Sequence, residues 1–160
     1  MAQEKQFSSA QMGKLRVLMM NFINKKVRQY NLSSIHAMYI AVFKKCGSLS
    51  QTDATRLLNF DKSHSSRVFR ELEEKGIIHR ANKEMQLTRE FPESAAEKSG
   101  TKKITFMLTD YGGKVADEIT GIYKEWQKVM FAGIDRADIE VYNKVQNKIV
   151  ENCMLFLSDK

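Results

Sequence analysis

Residues 61–80 read DKSHSSRVFRELEEKGIIHR, and their order decides what kind of domain surrounds them. A helix advances by about 100° per residue. Ser65, Val68, Phe69 and Leu72 then share one side, and Ser63, Ser66, Arg67 and Arg70 share the other. His64 and Glu71 fall on one flank, and Glu73 and Glu74 extend the polar side towards the helix end. Gly76 supplies the C′ residue where the chain leaves the helix. Hydroxyls and two guanidinium groups therefore gather in the first turns, where N–H groups and the positive dipole end also attract phosphate. A core helix has no need of such a gradient. A helix that enters a polyanion by its front end does, and that is the geometry of a recognition helix in a major groove.

Just upstream, SLSQTDATRLLN at 48–59 sets Ser50 three residues before Asp53, a capping-box arrangement with Asp in place of Glu or Gln. Ala54, Leu57 and Leu58 give this short helix its buried side, and Asn59-Phe60-Asp61 connects it to the stretch above. A short helix, a tight turn and a longer helix is the layout of a helix-turn-helix. Residues 34–45 (SIHAMYIAVFKK) form another helix, with Ser33 as N-cap and Gly47 as stop. Residues 9–29 carry Met12, Leu15, Leu18, Met19, Phe22 and Ile23 at helical spacing, widened by Val17, Met20 and Val27. So broad an apolar face suggests contact with a second body as well as with its own core.

Downstream of Gly76, IIHR and KEMQL read as short strands around Ala81-Asn82, and KKITFML as their antiparallel partner. The polar stretch between them, TREFPESAAEKSG, holds the only proline and reads as a long hairpin loop. Arg89, Lys98, Lys102 and Lys103 flank it, within reach of phosphates or a minor groove, while Glu90, Glu93 and Glu97 dilute that field. Thr109 then caps a helix through about residue 131, with Val115, Ile119, Ile122, Tyr123, Trp126 and Met130 on its stripe. After a break at AGID, Asp135 caps a last helix to about 157, striped by Ile139, Tyr142, Val145, Ile149, Met154 and Phe156. Two terminal helices too long to cover a small winged domain alone are best read as a dimerisation arm.

The chain has 160 residues, a length that suits one domain with an added oligomerisation element. Its formal charge is +7, unevenly spread. Residues 1–60 hold nine Lys+Arg against two Asp+Glu, residues 61–108 ten against eight, and residues 109–160 seven against nine. A basic balance points to an anionic partner such as nucleic acid, although the excess does not concentrate on the helix-turn-helix. Lys25, Lys26 and Arg28 have two readings, long-range attraction for DNA or a place on the dimerisation arm away from it. No stretch approaches the ~18 apolar residues of a membrane span, and MAQEKQFSSAQMGK lacks the apolar run of a signal peptide. Cys46 and Cys153 lie far apart and suit a reducing cytoplasm rather than a disulfide framework.

Order and wording together resemble the MarR family of winged-helix transcriptional regulators. GSLSQTDATRLLNFDKSHSSRVFRELEEKGIIHR is similar to that family's helix-turn-helix and first wing strand. ITFMLTDYGGKVADEI resembles its second wing strand and the Leu-Thr-x-x-Gly helix start. The similarity covers residues 10–157. It implies a mainly α protein with a small β-wing, in three parts. Residues 1–31 would be the N-terminal helix of the dimerisation region and 32–108 the winged helix-turn-helix, with its wing loop at about 89–101. Residues 109–160 would be the C-terminal helices of the dimerisation region. It further implies a homodimer bound to double-stranded DNA at a palindromic operator, most often as a repressor.

Ser63, Ser65, Ser66 and Arg67 match the family's Ser/Thr-rich recognition start, although the helical geometry above turns Ser65 inward. The DNA-binding set expected is therefore Ser63, His64, Ser66, Arg67 and Arg70, with Arg89, Lys102 and Lys103 from the wing. His64 has two readings, a base or phosphate contact or an exposed helix residue. The family's Asp-x-Arg pair at the wing is not recognisable, and the hairpin carries an insertion between Arg89 and Gly100. The resemblance also implies a small aromatic or phenolic effector between arm and winged domain. His36, Tyr39 and Trp126 are candidates for its lining, with core packing as the competing reading.

Other chemistry finds little to work with. His36, His64 and His79 are isolated and lack metal-ligand spacing. No phosphate loop, Ser/His/Asp set or paired carboxylates appear, so neither a metal, a cofactor nor catalysis is expected. Cys46 sits at a helix end whose dipole disfavours a thiolate, and Cys153 reads as packed beside Met154 and Phe156. A dimeric winged-helix module that binds protein rather than DNA is the alternative. The near-balanced charge of residues 61–108 favours it, and the salt dependence of DNA retention distinguishes the two.

Overall fold

The computed structural model describes residues 9–81 and 104–158. In chain order these form α1 (Ser9–Val27), a 3-10 turn (Arg28–Tyr30), α2 (Ser34–Cys46), β1 (Ser48–Ser50), α3 (Gln51–Leu58) and α4 (Lys62–Glu74). Then come β2 (Ile78–Arg80), β3 (Thr105–Leu108), α5 (Asp110–Met130) and α6 (Arg136–Ser158). The chain divides into two compact units, with the boundary inside α5 between Tyr123 and Lys124.

Side-chain chemistry sets the helix ends of the first unit. Asn31 adopts a left-handed conformation (φ 54°) and closes the 3-10 turn, with Leu32 N–H returning to the Val27 carbonyl at 3.4 Å. Asn24 Oδ1 accepts from Ser34 N–H at 2.6 Å and ties α1 to the start of α2. Ser33 caps α2 in a full capping box, but the residue reaching back is His36 rather than Glu or Gln. Ser50 Oγ accepts from Asp53 N–H at the start of α3, and Asn59 ends that helix in the left-handed region. Asp61 caps α4, where its Oδ1 accepts from His64 N–H at 2.7 Å.

At the other end of α4, Gly76 (φ 67°) lets Ile77 N–H reach the Leu72 carbonyl and Gly76 N–H the Glu73 carbonyl. These paired bonds form a Schellman motif, which a β-carbon at position 76 would strain. They turn the chain straight into β2.

The core of this unit lies under α4. Val68, Phe69 and Leu72 from α4 pack with Tyr39, Ile40 and Phe43 from α2, Ala54 from α3, Phe106 from β3, and Val115 and Ile119 from α5. Phe69 is central, its ring 5.3 Å from Phe43 and edge-on to Phe106 at 5.1 Å and Tyr39 at 6.0 Å, distances typical of favourable aromatic pairs. The inward side of α4 is thus the side read from the sequence, including Ser65. That residue is fully buried and hydrogen-bonded to the Tyr39 hydroxyl at 2.9 Å.

The sheet is antiparallel in the order β1-β3-β2. Leu49 pairs with Phe106, Ile78 with Leu108 and Arg80 with Phe106. Strand β1 is absent from the sequence reading, because three residues with serines at both ends carry no alternation to detect. Only β3 makes it a strand. KEMQL and the start of KKITFML lie outside the described residues, as do Arg89, Lys102 and Lys103.

The start of α5 is pinned to the turn that follows α4. Thr109 N–H donates to the Ile77 carbonyl at 3.0 Å, its Oγ1 donates to the Gly76 carbonyl at 2.6 Å, and the same oxygen caps Gly112 N–H at 2.8 Å. Gly112 sits so close to Ile77 that a β-carbon there would lie 2.0 Å from the Ile77 oxygen. The Leu-Thr-x-x-Gly wording thus has a packing reason.

In the second unit α5 ends at a turn with Gly133 in the left-handed region, and the Phe131 ring packs edge-on against Tyr142 of α6. The described side chains of α6 are almost all exposed, among them Met154, Leu155, Phe156 and Leu157 in succession. Cys153 is exposed as well, so the packing expected for it beside Met154 and Phe156 does not form within the chain. In the first unit, α1 likewise leaves Met12, Leu15, Val17 and Leu18 exposed while burying Ile23 and Val27. No helix among the described residues is long and apolar enough to cross a membrane.

Candidate nucleic-acid interface

The outer side of α4 is exposed to solvent rather than packed. Ser63, Ser66, Arg67 and Arg70 are all exposed, and with Lys62 they line one shallow concavity of about 440 Å3. The structure brings together four of the residues singled out from sequence and adds Lys62, which the sequence reading passed over. Its signal was its place beside the N-cap, on the same outer side as Ser66 and Arg70.

His64 stands apart from that group. It is half-buried, with its ring 4.6 Å from Phe60 and 6.5 Å from Tyr39, and its Nε2 is buried without a hydrogen-bond partner. Its Nδ1 faces Arg67 Nη2 at 3.5 Å. The side chain is wedged between the aromatic cluster and the Arg67 guanidinium.

The helix terminus is less open to anions than the sequence suggests. Asp61 takes His64 N–H and Ser65 N–H closes onto the Asp61 carbonyl at 3.1 Å, which leaves a carboxylate at the positive end of the dipole. Positive potential on this surface therefore comes from the side chains of Lys62, Arg67 and Arg70.

The glutamates missed as functional partners are the arginines' neighbours. Glu71 Oε1 lies 3.9 Å from Arg67 Nε and Glu74 Oε1 lies 3.8 Å from Arg70 Nε, both at i,i+4 spacing. Arg80 of β2 reaches Glu73 at 3.7 Å. The spacing was visible in the sequence, where the acidic end reads only as a segment kept away from DNA. In α4 the first turn holds no acid and the last no base, the reverse of what the helix dipole favours. Pairs in the Arg-to-Glu order contribute only about 0.2–0.5 kcal/mol even at best. The arrangement therefore contributes little to stability.

The residues read from sequence as lining an effector site have different surroundings. His36 is buried at the start of α2, with Nε2 2.7 Å from Glu71 Oε2, and it borders a cavity of about 630 Å3 with Arg28, Ser33, Glu71 and Lys75 among the other lining residues. Tyr39 is fully buried in the core, where burial raises its phenol pKa above the ordinary value against the Ser65 hydrogen bond. Trp126 is half-buried and belongs to the second unit.

No protein-family model matches the sequence. No curated protein matches it significantly. Solved structures do. A MarR transcriptional regulator from Methanosarcina mazei superposes with a TM-score of 0.78 at 18% identity, covering 96% of this chain and 93% of its own. A MarR-family regulator from Silicibacter pomeroyi gives 0.73 at 16% identity, covering 91% and 88%. A putative MarR-family regulator from Listeria monocytogenes, solved with a 26-mer DNA, gives 0.73 at 19% identity, covering 89% and 86%. Over nearly its whole length, this chain has the winged helix-turn-helix fold of the MarR-family transcriptional regulators.

Proposed function

We propose that this protein is a cytoplasmic, DNA-binding transcriptional regulator of the MarR type, acting as a homodimer on a palindromic operator, most simply as a repressor. One observation carries the reading. A helix buried along one side by Val68, Phe69 and Leu72 holds Lys62, Ser63, Ser66, Arg67 and Arg70 together on the other. Side chains of this kind, on the leading turns of a helix that projects from its domain, are suited to base edges and phosphates. The Listeria regulator of the same fold was solved with a 26-mer DNA, which supports the same partner here.

Two copies related by a two-fold axis would set two α4 helices on successive major grooves. The exposed apolar residues of α1 and α6 are the surface we assign to that pairing, as burying each large side chain favours association by about 1.5–3 kcal/mol. A small aromatic or phenolic effector is assigned to the cavity bordered by His36. Arg89, Lys102 and Lys103 are assigned to contacts beside the recognition helix.

Selection of bound duplexes from random sequence tests the reading. A recovered two-fold symmetric site, with retention that falls steeply as salt rises, is the expected result. Arg67→Ala should flatten preference among sites, because a good arginine–guanine pair discriminates by about 1–3 kcal/mol. The glutamate partners of Arg67, Arg70 and Arg80 favour a second reading, a winged-helix module that binds protein. Absence of retention on any DNA at low salt would establish that reading instead.

A further inference from the structure

Glu71 differs from the other glutamates of α4 in being anchored at one oxygen. Its Oε2 meets His36 Nε2 at 2.7 Å, and its Oε1 faces Arg67 Nε at 3.9 Å. The direction of the first bond follows from the far side of the imidazole. Ser33 N–H, which can only donate, points at His36 Nδ1 across 3.1 Å. Nδ1 therefore accepts, which leaves Nε2 as the ring nitrogen that donates to Glu71. The ring cannot swing away without breaking the α2 capping box, and it is buried. A rigid donor on α2 thus aims a carboxylate on α4.

Arg67 is bracketed by this carboxylate on its Nε side and by His64 Nδ1 at 3.5 Å from Nη2. These contacts engage Nε and Nη2 of a side chain that remains 61% exposed to a partner. Arg70 offers an internal contrast. Its partner Glu74 has the same spacing, at 3.8 Å, but its side chain is 68% exposed against 37% for Glu71 and has no histidine behind it. A freely moving pair fixes little, because holding two long side chains in one geometry costs about as much entropy as the attraction returns. With Glu71 already immobilised by His36, only the ordering of Arg67 remains to be met.

We propose that Glu71 is a positioning residue, aimed by His36 across from α2, which holds the Nε side of Arg67 so that its guanidinium is presented to a base pair in one orientation. Arg70, whose partner is not anchored, is left to make adaptable phosphate contacts. The proposal rests on the reading of Arg67 given under Proposed function, and the test separates the two.

The measurement is the affinity of the full-length protein for its selected duplex and for each single-base variant of that duplex. Four proteins are compared with the original: Glu71→Gln, Glu74→Gln, Arg67→Ala and the double variant Glu71→Gln with Arg67→Ala. Both glutamine variants keep side-chain shape and remove one negative charge, so both should tighten all DNA slightly. Only Glu71→Gln should also lower discrimination at one base pair of each half-site, by about tenfold of the roughly 5- to 150-fold that a bidentate arginine contact supplies. In the Arg67→Ala background Glu71→Gln should change discrimination no further.

If both glutamine variants tighten all sites alike with discrimination intact, while Arg67→Ala flattens it, Glu71 is only a surface charge. The positioning role then falls and the reading of Arg67 stands. If Arg67→Ala leaves discrimination intact, both fall.

Discussion

Gly112→Ala tests whether the close contact between α5 and the end of the recognition helix holds the winged domain together. An added β-carbon would lie 2.0 Å from the Ile77 oxygen and 2.9 Å from the Ile77 carbonyl carbon. Non-bonded carbon and oxygen rest at about 3.3 Å or more, so the two segments must part by more than about 1 Å. The obstacle is backbone, and no side-chain rotation relieves it. Overpacking of this kind costs about 1–3 kcal/mol. The separation also stretches the bonds from Thr109 N–H to Ile77 and from Thr109 Oγ1 to Gly76, each worth about 0.5–1.5 kcal/mol. Alanine's better helix propensity returns about 1 kcal/mol. The net loss is then about 1–5 kcal/mol, or roughly 2–20 °C in Tm for a chain of this size.

Gly113 is the control. It is the next residue of the same helix, and a β-carbon there meets nothing within 4 Å. Gly113→Ala should gain up to about 1 kcal/mol from propensity alone. Thermal unfolding followed by circular dichroism, at one protein concentration because association shifts apparent stability, should move the two variants in opposite directions. Equal stability of Gly112→Ala and Gly113→Ala would refute the close approach. The contact also bears on function, since Ile77 directly follows the Schellman turn that ends α4.

Alkaline stability should carry a signature of Tyr39. Burial, with a smaller contribution from Asp61, holds its phenol above the ordinary value near 10 against the opposing Ser65 hydrogen bond, and burial does the same for Tyr123. The folded state then keeps a proton that the unfolded chain releases. This contribution is complete below about pH 10 and is lost as pH climbs through the raised folded-state value. Tyr39→Phe should make the alkaline decline shallower in denaturant titrations, while costing about 1 kcal/mol at neutral pH through the lost Ser65 partner. An unchanged decline would remove Tyr39 as its source. For the terminal helices, sedimentation equilibrium should show a dimer, and Leu155→Glu with Phe156→Glu should shift it towards monomer and weaken DNA binding. A monomeric parent protein would end the assignment of α1 and α6 to pairing.

Much of this molecule was legible in local chemistry. The two sides of α4, the inward turn of Ser65, the caps at Ser33, Ser50 and Thr109 and the exit at Gly76 all follow from helical periodicity and from which backbone groups need a partner. These are interactions over three to six residues, and a sequence displays them directly. The capping box of α2 was half legible. Ser33 announced it, but nothing in the sequence identified His36 as the residue reaching back.

What required the folded chain involves partners far apart in sequence. Strand β1 has no pattern of its own and exists because Leu49 lies opposite Phe106. Gly112 reads as a helix-start residue until Ile77, 35 positions earlier, is seen against it. Glu71 reads as a flank residue beside His64, and only the packing of α2 on α4 reveals the imidazole that fixes it beside Arg67. The order of residues by itself determined the two sides of α4 and its caps, because these depend on spacing along one chain, whereas Leu57, read as part of the buried side of α3, is exposed. The tertiary structure alone decided which of those surfaces meet, because that depends on shape and on the exclusion of water between distant segments.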